Sequence, residues 1–363
     1  MTGTTLPRNK LSIKDHLKIA AVLAPTPMIL SIALIKSLFT EDGRAKSWKR
    51  VVIDSVIAWL VSHVNRRQVR GVFGETGAVY RDFVKAKRLT PEVEELGYDS
   101  RLFWLGPRKS ERVILYMHGG AFLFGAFPST PYFWTHIRDV IANNGKEVDV
   151  AMLNYTLVPD AMFPTQLKQA VLAIQHLIST GIKPENIQLA GDSAGGVLIH
   201  EVLSHMLHPV PDVPSLVLSA PLGGAYLMSP ACSLKDSPLL RSNQGRGDII
   251  TTPTVIYWGS KLFEGVPEFG IPYLEGNSAP EDWFKGVDKV VKRILISAGD
   301  AEIFRDAIIK YTKTIEKHHK DVTFFLEKHG VHDDPFLLFL VGEPNRGKLT
   351  PFIIDWLDKG FNA

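Results

Sequence analysis

The 363-residue chain has one cysteine, Cys232. That excludes an intramolecular disulfide and a cysteine-rich zinc site, and it suits a reducing compartment. Excess charge is also scarce: 41 basic against 38 acidic residues give a formal net charge of +3. So weak a field does not point to nucleic acid as a partner. The chain carries no internal repeat and no low-complexity tract, which excludes solenoid and fibrous architectures. No uninterrupted apolar run reaches the roughly 20 residues of a membrane span. The longest, residues 19–35, has 17 and contains Pro25 and Pro27, which break or kink a helix. No small-residue cleavage site follows it, so a secretory leader is not expected. The length does allow a large core, either one α/β domain with an insertion or two domains.

Charge is present but unevenly placed. Residues 1–70 hold 12 Lys/Arg, Arg8 and Lys10 among them, and 4 acids, a local charge of +8 that leaves −5 for the remainder. The apolar run 19–35 lies inside this basic segment. Two readings stay open for residues 1–90: a helical pair buried as part of a cap, or a segment that meets a membrane surface or the ER membrane with basic flanks toward anionic lipid. Localisation is accordingly expected to be intracellular, cytoplasmic or ER-membrane associated. Residues 48–64 (WKRVVIDSVIAWLVSHV) carry apolar positions at helical spacing.

Beyond Pro91 the pattern changes. Short apolar runs at 112–117, 149–154, 186–190, 215–219, 293–298 and 322–326 read as buried strands. Amphipathic helical patterns separate several of them, as at 166–179, where Leu167, Ala170, Val171, Ile174 and Leu177 form one stripe. Such alternation predicts an α/β fold, a mostly parallel sheet with helices on both faces. The Gly-, Pro- and aromatic-rich stretch at about 223–283 breaks the alternation and is expected to be a cap insertion within a core spanning 91–363.

Chemistry-bearing residues fall just past these strands. Gly191-Asp192-Ser193-Ala194-Gly195-Gly196 follows one strand and opens a helical run, the context of a nucleophile elbow. His118-Gly119-Gly120-Ala121-Phe122 follows the 112–117 strand, where glycine-rich backbone can aim amide N–H groups into a cavity. Downstream come 299–306 (GDAEIFRD) and 329–336 (HGVHDDPF). Ser, acid and His therefore appear in the chain order of an α/β-hydrolase triad, each at a strand end where open α/β sheets place their sites. Asp334-Pro335 reads as the N-cap and first residue of the next helix. One carboxylate beside His329 and His332 does not make a metal site.

Together with 154–170 (NYTLVPDAMFPTQLKQA), these motifs resemble the hormone-sensitive-lipase branch of the α/β-hydrolases, including steryl-acetyl-hydrolase-like and arylacetamide-deacetylase-like esterases. The resemblance implies an α/β-hydrolase fold with a helical cap, carboxylic ester hydrolysis on a small apolar ester, and no cofactor. It assigns Ser193 as nucleophile, His332 as base and Glu302 as the acid, with Asp300 as the alternative. Oxyanion donors would be the amides of Gly119, Gly120 and Ala194. Ala121 stands where a third glycine is frequent. The same triad also serves acyl transfer, lactonisation or cyclisation in secondary metabolism, which is the competing expectation.

Overall fold

In the computed structural model, which describes residues 11–343 and 347–361, eight strands form one sheet. They are β1 (Val93–Gly97), β2 (Ser100–Trp104), β3 (Val113–Met117), β4 (Asp149–Asn154), β5 (Ile187–Asp192), β6 (Gly224–Met228), β7 (Ile294–Gly299) and β8 (Val322–Glu327), in the spatial order β1-β2-β4-β3-β5-β6-β7-β8. β1 pairs antiparallel with β2, and β2 with β4; every other pairing is parallel. Arg8 and Lys10 of the basic segment lie outside the described residues.

The period-2 alternation of strand side chains divides the core in two. Leu115, Met117, Leu189 and Ile296 face one layer, where the stripe of helix Thr165–Ser179 packs; Ile114, Tyr116, Ala190 and Leu295 face the other, against helices Thr130–Asn143 and Leu349–Gly360. Both faces are covered, so the central strands are buried throughout, as parallel strands must be.

Two expectations need correction. Residues 215–219 are not a strand: Val217 is 87% exposed, whereas the sheet between β5 and β7 is filled by the wholly buried β6. Consequently the insertion begins after Met228 and returns at Ile294, rather than starting at 223. Helix Thr76–Lys87, placed in the cap by the 1–90 boundary, instead packs Tyr80, Phe83 and Val84 into the second core layer. As the prolines lead one to expect, the N-terminal apolar run is broken: helix Ile13–Leu23 stops at a turn through Ala24 and Pro25, and a second helix starts beyond it. Pro25 is the N-cap of helix Thr26–Ser37 and Pro27 lies in its first turn, where the absent N–H costs nothing. With helix Ile13–Leu23 this gives a 25-residue stretch, Ile13–Ser37, long and apolar enough to cross a membrane by length and composition, with no residue buried.

Helix Trp48–His63 bridges this outer pair to the core. Trp59 Nε1 donates to the Val22 carbonyl at 2.7 Å. Its inner end is fixed by Arg50, buried between Asp54 (3.2 Å) and Asp334 (2.8 Å).

Candidate active site

The carboxyl ends of β3, β5 and β8 lead into one pocket, and those of β6 and β7 carry the residues packed behind it. β5 ends at Asp192, and helix Ala194–Leu207 starts two residues later. Ser193 joins them at φ 49°, ψ −114°, a conformation no regular element uses. The turn is this tight because Gly191 and Gly195 have no side chain: a Cβ on Gly191 would stand 2.5 Å from the Gly195 carbonyl, and one on Gly195 would strike the Met117 carbonyl. Of the ten non-glycine residues at positive φ among those described, six border this end of the sheet: Ala121, Phe122, Ser193, Ser229, His329 and Asp333. Each such conformation costs of order 1–3 kcal/mol and persists where surrounding structure over-determines it.

The loop after β3 is braced from beneath. His118 stacks on Tyr155 with ring centroids 4.3 Å apart, and its ring nitrogens meet Thr76 Oγ1 (2.8 Å) and the Gly119 carbonyl (2.7 Å). Burial drives its pKa down to about 4, against the pull of the Gly119 hydrogen bond, so the ring is neutral and structural. The Gly119 N–H donates to Asp192 Oδ1 at 2.9 Å. That amide is therefore committed, and the expectation that it serves an oxyanion is corrected. Gly120, at φ 108°, and Ala194, the first residue of its helix, keep amides with no backbone acceptor among the described residues; the same holds for Ala121, the next amide in the turn. Gly120, Ala121 and Ser193 all line the pocket.

Glu302 and His332 approach from the loops after β7 and β8. Glu302 is fully buried; its Oε2 accepts from Ser229 Oγ (2.7 Å) and the Gly299 N–H (2.6 Å). Its Oε1 lies 3.6 Å from His332 Nδ1. Neither of those two atoms has another hydrogen-bond partner among the described residues, so they face each other across a gap that a shift of under an ångström closes. Asp300 points elsewhere, to Arg246 (3.2 Å) and Arg305 (3.6 Å).

Three further carboxyls surround His332, none singled out from the sequence. Asp248, from the insertion, accepts the backbone N–H groups of His332 (2.9 Å) and Ile303 (2.7 Å), tying both loops together; burial raises it to about 6. Asp192 accepts from Tyr116 Oη (2.6 Å) as well as from Gly119, and burial raises it to about 6. Asp333 Oδ2 lies 3.3 Å from His332 Nε2. Burial works against charge on the imidazole, but Asp333, Glu302 and Asp248 outweigh it and push His332 up to about 10. The N-cap of helix Asp334–Leu340 is Asp333, in the left-handed region, not Asp334; Asp334 is the first helical residue and holds Arg50.

Space around Ser193 is unequal. On the side of Val197, Ala231, Leu234, Leu262 and Phe304 only about 10 Å³ is open. The pocket holding Ser193 and His332 has about 160 Å³ and is walled by Ile57, Leu60 and Val61 of helix Trp48–His63. Past Phe124 and Trp258, rings 5.7 Å apart, lies a cleft of about 1520 Å³ between helix Thr26–Ser37 and helix Thr252–Leu262. Cys232 is buried outside these spaces, its thiol pushed up by burial, a spectator. Asp42, Asp300 and His329 cluster on the rim, but the Arg246 guanidinium already bridges Asp42 (3.0 Å) and Asp300 (3.2 Å).

The profile of the α/β hydrolase fold matches residues 114–335. The chain is similar to a putative steryl acetyl hydrolase of Schizosaccharomyces pombe, 26% identical over 245 residues that cover 64% of this chain and 61% of that one. It is also similar to an acetyl-hydrolase of Streptomyces hygroscopicus, 31% identical over 127 residues, 35% of this chain and 37% of that one. The chain thus spans less than two thirds of the length of these curated relatives. Among solved structures, an esterase from the bacterial hormone-sensitive lipase family shares the fold with a TM-score of 0.65 at 19% identity, covering 87% of this chain and 99% of that one. With the profile matched over more than half its length, from β3 to the helix after His332, the chain belongs to the α/β-hydrolase fold family.

Proposed function

We propose that this protein hydrolyses carboxylic esters through an acyl-enzyme on Ser193. The observation that carries the reading is the single pocket at the sheet's carboxyl edge, lined by a serine in a strained strand–helix turn and by a histidine whose far nitrogen faces a buried carboxylate. Ser193 Oγ attacks the ester carbonyl while His332 Nε2 takes its proton. Glu302 keeps the Nδ1 proton directed inward and stabilises the imidazolium that forms. Gly120 and Ala194, with Ala121 in place of Gly119, supply amides to the oxyanion; losing one such donor typically costs about 3 kcal/mol. His332 then protonates the leaving alcohol and activates the water that releases the acid.

The spaces support a substrate class. The space of about 10 Å³ beside Val197 and Leu234 suits only a short acyl group, and the large cleft beyond Trp258 suits a bulky apolar alcohol. The names of the curated relatives, acetyl and steryl acetyl hydrolases, agree with that division. We further propose that the outer helices rest on a membrane surface. Ile13, Leu17, Met28, Ile35, Leu38 and Phe39 are exposed beside Lys14, Lys18 and Lys36, and helix Thr26–Ser37 forms one wall of the cleft. An apolar ester would then pass from lipid to the cleft. A series of p-nitrophenyl esters of rising acyl length tests the reading: acetate should give the highest kcat/KM, and Ser193→Ala should abolish turnover of all of them. A rate that climbs with acyl length would overturn the short-acyl assignment. No hydrolysis at any length would favour the acyl-transfer or cyclisation alternative.

A further inference from the structure

The acid-rich surroundings of His332 exceed what a Ser-His-acid triad requires. A triad needs one carboxylate, at Nδ1, and leaves Nε2 to the nucleophile. Here Nε2, the nitrogen that must take the Ser193 proton, has Asp333 Oδ2 at 3.3 Å, about as close as Glu302 is to Nδ1. The other oxygen of Asp333, Oδ1, is buried without a hydrogen-bond partner among the described residues. The Asp333 side chain lines the pocket with 16% of its surface open, and it is held there by backbone at φ 53° and by its own N–H, which donates to Ser229 Oγ at 3.3 Å.

We propose that Asp333 is a positioning residue that holds a proton on His332 Nε2 in the resting enzyme, so that the base is available only after that proton has left for solvent. The inference rests on the reading of Ser193 and His332 given above. An imidazole with a carboxylate opposite each nitrogen is most stable with both nitrogens protonated. In that state Nε2 has no lone pair to accept the Ser193 proton. Release of one proton to solvent yields the neutral ring, protonated at Nδ1 toward Glu302, and leaves Nε2 free for Ser193 Oγ–H.

Burial and the charges of Asp192, Glu302 and Asp248 also raise the Asp333 carboxyl well above the usual range, against the pull of the His332 imidazolium; the proton between Asp333 and Nε2 thus belongs to the pair, and from either atom it must leave before Nε2 can act as base. The remaining charged groups around the ring do not reverse this. Glu302 comes from the loop after β7, Asp248 from the insertion and Asp192 from the end of β5, and all three favour the cation or contribute little against it. Arg50, which holds Asp334 two residues after His332, is already paired with Asp54 and Asp334. Tyr116 and Tyr226 are buried and neutral. Phe304 closes the last side with its ring 5.3 Å from the imidazole.

The test is the pH dependence of kcat/KM on p-nitrophenyl acetate for the wild-type chain, Asp333→Asn and Asp333→Glu. Wild type should have the midpoint of its acid limb clearly above 7. Asp333→Asn should lower that midpoint by about one to three units, the usual effect of removing one facing charge. Two units below the wild-type midpoint, a one-unit shift appears as a nearly tenfold faster rate relative to plateau. Asp333→Glu should restore part of the shift. Imidazole 15N resonances of His332, followed in Ser193→Ala protein, give a readout that needs no turnover: both nitrogens protonated at pH 7, with titration moved downward by Asp333→Asn. An unmoved midpoint, or a neutral wild-type ring at pH 7, would overturn the proposal. So would loss of activity at every pH in Asp333→Asn with folding intact. Failure of the triad reading looks different, because turnover would then survive Ser193→Ala in every background.

Discussion

Glu302→Gln separates the roles of the two acids most sharply. Glu302 Oε2 receives two hydrogen bonds, one from the Gly299 backbone N–H at 2.6 Å and one from Ser229 Oγ at 2.7 Å. A glutamine here has a single oxygen. If its NH₂ faced the Gly299 N–H, two donors would meet in a fully buried site, and a buried donor left unsatisfied costs about 1–3 kcal/mol. Ser229 can rotate its hydroxyl, but the Gly299 amide cannot move its hydrogen. The oxygen is therefore anchored toward Gly299, and the NH₂ is turned to His332 Nδ1, 3.6 Å from the present Oε1. Nδ1 must then accept, the ring proton moves to Nε2, and the base is lost. The neutral amide also no longer stabilises the imidazolium. Together these should lower kcat by about 10²–10⁴-fold, or about 3–5 kcal/mol of transition-state stabilisation. KM for p-nitrophenyl acetate and the thermal midpoint should change little, because the volume and both hydrogen bonds to the retained oxygen persist. Asp300→Asn, on a carboxylate held by Arg246 and Arg305, should cost less than about tenfold. A Glu302→Gln enzyme within a few-fold of wild type, or the reverse ranking of the two variants, would refute the argument.

Two other outcomes follow from the packing. Arg50→Ala leaves Asp334 without its cation at the foot of the helix after His332, so it should destabilise the fold by about 3–5 kcal/mol; a thermal melt with an unchanged midpoint would contradict that. Leu17→Glu combined with Ile35→Glu, both on exposed apolar positions, should weaken flotation with anionic vesicles while leaving hydrolysis of p-nitrophenyl acetate in solution intact. Binding of the wild-type chain should fall with salt, because its basic component is screened; salt-independent binding that survives both substitutions would remove these helices from the membrane contact.

The sheet's interior was legible because its strands are short apolar runs bounded by turn residues, and because the stripe at 166–179 has an unambiguous helical period. The β1–β2 hairpin was hidden: its two-residue turn is Tyr98 and Asp99, both at positive φ, in place of the glycine pair that usually announces one. β6 was missed for a related reason. Its sequence, GAYLM, opens with glycine where a side chain would crowd Trp356, and the neighbouring SLVLS matches the strand pattern better while lying half exposed. Ser193, Glu302 and His332 were reachable because their motifs lie just past β5, β7 and β8 and because the family resemblance preferred Glu302 to Asp300; the structure brings Ser193 and His332 to one pocket and Glu302 to the far side of the imidazole. Asp248 was not reachable, since its bond to the His332 backbone joins positions 84 residues apart. Gly119 was misassigned because sequence says nothing of where its N–H points, and Asp192 takes it. Asp333 was in plain view beside His332 but was read past as the residue before a helix cap.

The most direct test of the account is intact-mass analysis after exposure to an organophosphonate probe, followed by peptide mapping. The wild-type chain should gain one adduct, on Ser193 within the 191–196 turn, and lose esterase activity in proportion; Ser193→Ala should gain none. An adduct that persists in Ser193→Ala, or one that maps to another residue while activity is lost, would contradict the central claim that Ser193 is the nucleophile.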